Sequence, residues 1–186
     1  MDETSRTLNR KALYNGKVVD IYLDSIRLED GNEAMREVVE HSGGVVILAL
    51  LKGNVLMVRQ YRHPAGQSLL ELPAGKLEKN EDPAICAFRE LEEETGYRPG
   101  SVRELGQFYA TPGYCSEIFY LYAAENLTPA TQRLDPDELL DVERVPLDDA
   151  VAACFDGRII DAKTALALLL YRGCTPFGSA SPLGAD

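Results

Sequence analysis

GKLEKNEDPAICAFRELEEETGY, residues 75–97, is the stretch from which the rest of the chain is read. Asp82 has the side chain of a helix N-cap, and Pro83 has the fixed φ suited to a first helical position. Gly96 supplies the left-handed residue that closes a helix, so the pattern predicts a helix over Pro83–Thr95. At 3.6 residues per turn, Ala84, Ala87, Phe88, Leu91 and Thr95 form one stripe facing a core. Glu90, Glu93 and Glu94 fall on another face, with Glu90 and Glu94 one turn apart. Arg89 is one turn from Glu93 and can hold it by an ion pair. These carboxylates repel one another and sit where the helix dipole favours cations, each misplacement costing roughly a few tenths of a kcal/mol. A charge run of this kind is most often a solvated acidic face; the other reading is a cation site.

Working outward, the upstream chain is β-rich. VVDIYLDSIRL (18–28) and EAMREVVE (33–40) flank the turn-forming Asp30-Gly31-Asn32. GGVVILALL (43–51) suits a strand buried on both faces, and Lys52-Gly53-Asn54 turns it into VLMVRQY (55–61) as a hairpin. A short strand near Leu69–Leu72 leads into a loop at Pro73–Lys79. Downstream, strands are expected at Val102–Tyr109, Ile118–Ala123 and Asp141–Val145. Helices are expected at Leu147–Phe155 and Ala162–Tyr171, the second capped by Asp161. Residues 1–11 look frayed, and the Gly-, Ser- and Pro-rich tail looks mobile. The order predicts an α/β (α+β) protein with a mixed sheet and helices packed on it.

The 186 residues suffice for one domain. The longest apolar run, Val45 to Leu51, is far short of the ~20 residues that span a bilayer, and the N-terminus has no signal-peptide pattern. Cys86, Cys115, Cys154 and Cys174 lack zinc-site spacing and read as reduced thiols of a cytoplasmic protein. A net charge of -11 with no basic stripe argues against nucleic acid, and it makes a bound divalent cation a condition for holding any phosphate substrate.

The spacing Gly75, Glu81, Arg89-Glu90-Leu91, Glu93-Glu94, Gly96-Tyr97 resembles the Nudix box, with Tyr97 where an aliphatic residue is usual. The resemblance implies the Nudix fold, an α/β/α sandwich, and hydrolysis of a nucleoside diphosphate linked to another moiety. It further implies that Glu90, Glu94 and the carbonyl of Ala74 ligate metal and that Glu93 bridges metals or binds through water. Arg89 and Glu81 would orient the cluster. Oxygen ligands without His or Cys select hard cations, so Mg²⁺ is expected and Mn²⁺ can substitute.

Outside the box the chain is similar to the ADP-ribose pyrophosphatase branch. Arg36-Glu37-Val38-Val39-Glu40, Gln60-Tyr61-Arg62, Leu70-Glu71-Leu72-Pro73-Ala74-Gly75, Thr111-Pro112-Gly113 with Ser116-Glu117, and Asp161-Ala162-Lys163-Thr164 carry this likeness. Arg62 is the expected diphosphate contact, its alternative being a surface arginine on an edge strand. Arg36 and Glu40 match positions that meet the nucleoside from a neighbouring subunit, or else pair across strands. Pro112 and Gly113 are carried over as substrate-binding, and Glu117 faces substrate or metals, or water. Glu138 is the candidate base, with Glu93 in reserve; a plain polar loop is the other reading. His41 and His63 read as structural, and Tyr14 or Tyr22 either stacks on adenine or packs.

These expectations give residues 1–40 as an N-terminal β segment with a dimerising hairpin, 41–172 as the hydrolase domain and 173–186 as a tail. The expected reaction is Mg²⁺-dependent cleavage of ADP-ribose to AMP and ribose 5-phosphate by a homodimer, with no nucleic-acid or membrane partner. Another nucleoside-diphosphate sugar, such as UDP-glucose or GDP-mannose, is the alternative substrate, and a non-catalytic ADP-ribose-binding module is the other class.

Overall fold

A computed structural model describes residues 6–136 and 138–174. The expected tail beyond residue 174 lies outside the described residues, as do the first five positions.

The chain begins with β1 (Thr7–Asn15), β2 (Asp20–Arg27) and β3 (Glu33–Glu40), which form an antiparallel sheet in that order. The fraying expected for residues 1–11 does not extend to Thr7–Lys11: this segment pairs with β2, from Thr7 opposite Ile26 to Asn15 opposite Asp20. Every residue of β1 is exposed, so no burial pattern announces it, and its backbone partners supply the order. The expected hairpin therefore supplies two strands of a three-stranded sheet in which β2 is central.

β4 (Gly44–Leu51), β5 (Asn54–Arg62), β6 (Gln67–Glu71) and β7 (Ala74–Lys76) follow, and then helix α1 (Pro83–Thr95). β8 (Tyr97–Arg98) pairs with β11 (Thr128–Pro129) beyond the helix, while β9 (Ser101–Tyr109) and β10 (Ile118–Glu125) return to the sheet. β12 (Leu140–Pro146), α2 (Leu147–Ala153) and α3 (Ala162–Cys174) complete the fold. The main sheet runs β12-β5-β4-β10-β9, with β6 beside β5 and β7 beside β4. It is mixed: β10 is parallel to β4, and the remaining pairs are antiparallel.

β4 is buried on both faces because helices cover both. Val45, Ile47 and Ala49 enter the core beneath α1, with Ala87 and Leu91. Val46 and Leu48 enter the opposite core, with Ala150, Ala167 and Leu168 from α2 and α3. The result is an α/β/α sandwich with the N-terminal sheet appended. Among the described residues no helix is long and apolar enough to cross a membrane.

α1 has its expected ends. Asp82 accepts hydrogen bonds from the Ala84 and Ile85 amides, and Gly96 adopts φ 69°. Within the helix, Ala87, Leu91 and Thr95 are buried as the stripe predicts, but Phe88 is only half-buried and Cys86 joins the core. At the head of β4 the sheet is tight: a Cβ on Gly44 would lie 2.8 Å from the carbonyl oxygen of Gly75 across the β4–β7 pair. Backbone cannot swing aside there as a side chain can. Gly44→Ala is expected to destabilise the protein by about 1–3 kcal/mol, read from urea denaturation.

Candidate active site

The last two turns of α1 carry Glu90, Glu92, Glu93 and Glu94, and each has a different role in the packing. Glu92 turns away from the other three to ion pairs with Arg98 and Arg133. Arg89 gathers the next set. Its Nε and Nη2 grip Glu81 at 2.9 Å each, and its Nη1 donates to Glu90 at 2.7 Å and to Glu93 at 3.1 Å. One guanidinium thus aligns three carboxylates.

Glu94 departs from the expected exposed face. It is 2% exposed, and its Oε2 accepts from the Ala74 amide at 3.1 Å. That bond ties the helix to β7, one residue before Gly75. A Cβ on Gly75 would fall 1.8 Å from the Glu90 carboxyl carbon, so a glycine there is the condition for seating Glu90 over the strand.

Burial pushes the pKa of Glu90 up to about 7; Arg89 opposes the shift, while Glu93 and Glu138 add to it. Burial also holds Glu94 well above the usual carboxylate range, with the charges of Glu90 and Glu138 acting in the same direction. Among the described residues no three His, Cys, Asp or Glu side chains already stand at metal-ligand spacing, since Arg89 and the Ala74 amide draw the glutamates to themselves. The donors are nonetheless all oxygens, partly buried, and short of positive charge, which is the chemistry that suits a hard divalent cation.

Glu138 reaches this cluster through the loop after β11. Arg133 N–H donates to the Glu93 carbonyl, and Gln132 Nε2 donates to that of Glu94, satisfying two carbonyls at the helix end. Glu138 then closes a turn on Asp135. It lines a cleft of about 320 Å³ together with Gly75, Glu90 and Glu93.

Gly75 and Lys76 also border a second cleft of about 430 Å³, walled by Arg62, Ala74, Glu117 and Lys163. Arg62 is bound through Nε and Nη2 to Glu71, at 2.8 and 2.9 Å, and also feels the charge of Glu94. Glu117 approaches His41, 3.6 Å from Nδ1, and that nitrogen accepts from the Gly43 amide.

The remaining candidates stand apart from the two clefts. Pro112 and Gly113 occupy the exposed tip of the β9–β10 loop, whose base, Ala110 and Glu117, borders the larger cleft. Arg36 lies on β3 and donates to the Met35 carbonyl. Glu40 pairs with Arg10, a residue of β1, and borders a third, polar cavity with Gly16, Lys17 and His41. Arg10 also covers the ring of Tyr22, 4.6 Å from its centroid. Sequence reasoning gave no role at the cleft to Glu71 or Lys163, and gave Asp161 only that of a helix cap, which it fills by accepting from the Thr164 amide. All three stand in stretches that carry the family likeness, and Glu71 is also a carboxylate inside the apolar run Leu69–Leu72, but its partners at positions 62 and 163 are too distant in sequence to infer.

The NUDIX domain model matches residues 40–167. Over 166 residues the chain is 40% identical to the ADP-ribose pyrophosphatase of Bacillus subtilis (strain 168), covering 88% of this chain and 90% of the relative. It is likewise 40% identical over 166 residues, with the same coverage, to the methanol dehydrogenase activator of Bacillus methanolicus. A crystal structure of an ADP compounds hydrolase superposes with a TM-score of 0.80 over 90% of this chain and 91% of that one, at 22% identity, a likeness of fold. The chain belongs to the Nudix hydrolase family.

Two substitutions separate seat from scaffold. Arg89→Ala leaves three crowded carboxylates without their cation and is expected to cost the metal-free protein about 2 kcal/mol or more in urea denaturation. Gly75→Ala meets only the far end of a flexible side chain. It is expected to keep the fold, shifting the thermal midpoint by less than about 5 °C while displacing Glu90.

Proposed function

We propose that the protein hydrolyses the diphosphate bridge of ADP-ribose in a Mg²⁺-dependent reaction, with water entering and AMP and ribose 5-phosphate leaving. The observation that carries this reading is the junction of the two clefts at Gly75 and Lys76. A wall rich in partly buried carboxylates meets a wall with cationic side chains, which suits a metal-bound diphosphate lying across the join. Relatives that are ADP-ribose pyrophosphatases support the choice of substrate.

In this reading Glu90, Glu94 and the Ala74 carbonyl hold the cation, and Glu93 contributes directly or through water. Mn²⁺ can replace Mg²⁺, because the ligands are hard oxygens. The bound cation would neutralise the diphosphate and lower the pKa of a coordinated water. Arg89 and Glu81 keep the carboxylates in register for binding. Arg62 offers its remaining N–H groups to phosphate oxygens, Glu117 faces the substrate from the cleft wall, and Glu138 takes the proton of the attacking water. Glu93 is the base if Glu138→Gln leaves turnover intact.

Glu94→Gln is expected to lower turnover by at least about a hundredfold while the metal-free protein stays folded, since a neutral amide suits a buried position better than a carboxylate does. Comparable activity in that variant would exclude the cluster as the metal site. Assayed side by side with Mg²⁺, ADP-ribose is expected to exceed UDP-glucose and GDP-mannose in kcat/KM; a tenfold preference for either of the others would overturn the substrate assignment.

Residues 1–40 serve in this proposal as the dimerising segment of a homodimer, and residues 41–172 as the hydrolase domain. The support is β1, an edge strand exposed throughout, with Leu8, Leu13 and Tyr14 uncovered. Arg36 and Glu40 would then reach the nucleoside of the other subunit. A monomeric mass by light scattering at micromolar concentration would rule this out. The free thiols Cys86, Cys115 and Cys154 suit the cytoplasm, a reducing compartment.

A further inference from the structure

Strand β6 ends in Leu69, Leu70 and Glu71, and its last residue has no accessible surface. A carboxylate in such a place persists only where cations and hydrogen bonds replace its water. Glu71 has both. Arg62 grips its two oxygens from β5, and Lys163 Nζ reaches Oε2 at 2.5 Å from the first turn of α3. Burial works against ionisation of Glu71, but these two cations outweigh it and hold the carboxyl below its usual range.

Lys163 is fixed a second time. Its Nζ donates to Asp161 Oδ1 at 2.8 Å, while Asp161 Oδ2 accepts from the Thr164 amide and hydroxyl. The Thr164 hydroxyl oxygen accepts in turn from the Leu72 amide at 2.9 Å, so the start of α3 is pinned to the end of β6. The Lys163 side chain is 17% exposed and that of Arg62 36%, and both border the larger cleft beside Ala74 and Gly75.

Counting donors shows what remains. A guanidinium has five N–H groups, and Arg62 spends two of them on Glu71. An ammonium has three, and Lys163 spends two, on Glu71 and Asp161. Three N–H groups of Arg62 and one of Lys163 have no partner among the described residues. For stability alone, apolar residues at positions 62, 71 and 163 together would serve at least as well, because a buried ion network barely recovers its desolvation. What the buried carboxylate achieves is placement: it sets two cations of different geometry side by side on the cleft wall.

We propose that Lys163 is a second substrate-binding cation, contacting the diphosphate beside Arg62, and that Glu71 is the positioning residue that orients both. The assignment rests on the nucleoside-diphosphate reading of the site. Arg62 can fork two oxygens of one phosphoryl group, while the lysine supplies a point charge to the other.

The test uses the full-length protein with Mg²⁺. Binding of α,β-methylene ADP-ribose, which cannot be hydrolysed at the bridge, is measured by calorimetry, and ADP-ribose kinetics are run in parallel. Lys163→Met is expected to raise both Kd for the analogue and KM by about tenfold or more, with kcat within about threefold. Lys163→Arg is expected to recover most of that loss. Glu71→Gln is expected to raise KM further, because both cations lose their anchor; should it fail to fold, the two Lys163 variants decide the matter. A Lys163→Met protein with lowered thermal midpoint but Kd and KM within twofold of the parent would make the network purely structural and overturn this proposal alone. A parent protein that neither binds the analogue nor cleaves ADP-ribose would overturn the functional reading and this proposal with it.

Discussion

Carboxylates crowded at the C-terminal end of α1 must be held against their own repulsion, and Arg89 does most of that work. Four of its hydrogen bonds meet Glu81, Glu90 and Glu93 at once, while Glu94 is held separately by the Ala74 amide. The surrounding structure is arranged to permit this grouping. Gly75 has no side chain because the Glu90 carboxyl occupies that space, and Gly44 has none because the Gly75 carbonyl lies against it. Glycine at position 75 thus follows from the carboxylates on the helix, and glycine at position 44 from the close approach of the strand that carries Gly75.

The same constraint reaches the loop that carries Glu138. The last carbonyls of a helix need donors, and the chain beyond β11 supplies them from Arg133 and Gln132. This brings Glu138 to Glu90 and Glu93 although more than forty residues separate them. A position that reads in sequence as part of an acidic loop becomes one wall of a cleft because two unpaired carbonyls needed hydrogen bonds.

Features with local causes were legible in the sequence. Asp82, Pro83 and Gly96 delimit α1 because capping depends on a few adjacent residues, and the unbroken apolar run of β4 announces a strand covered on both sides. Features with distant causes were not. β1 is held by a neighbouring strand and buries nothing, so its side chains carry no pattern. Glu94 looks from its helical phase like a solvated residue, yet β7 and the loop after β11 close over it. Glu71 stands in an apolar run, and the cations that justify it come from β5 and α3. In each case the deciding partner is set by topology rather than by sequence spacing.

The burial of β4 on both faces has one more outcome, for the way the molecule opens. Val46 and Leu48 belong to the core beneath α2 and α3, while Val45 and Ile47 on the same backbone belong to the core beneath α1. Neither helical layer can detach without exposing this strand, and the strand also seats Ala74 and Gly75 through its pairing with β7. The two halves of the sandwich are therefore coupled into one cooperative unfolding unit, so slow amide exchange along β4 would report on the integrity of both layers together.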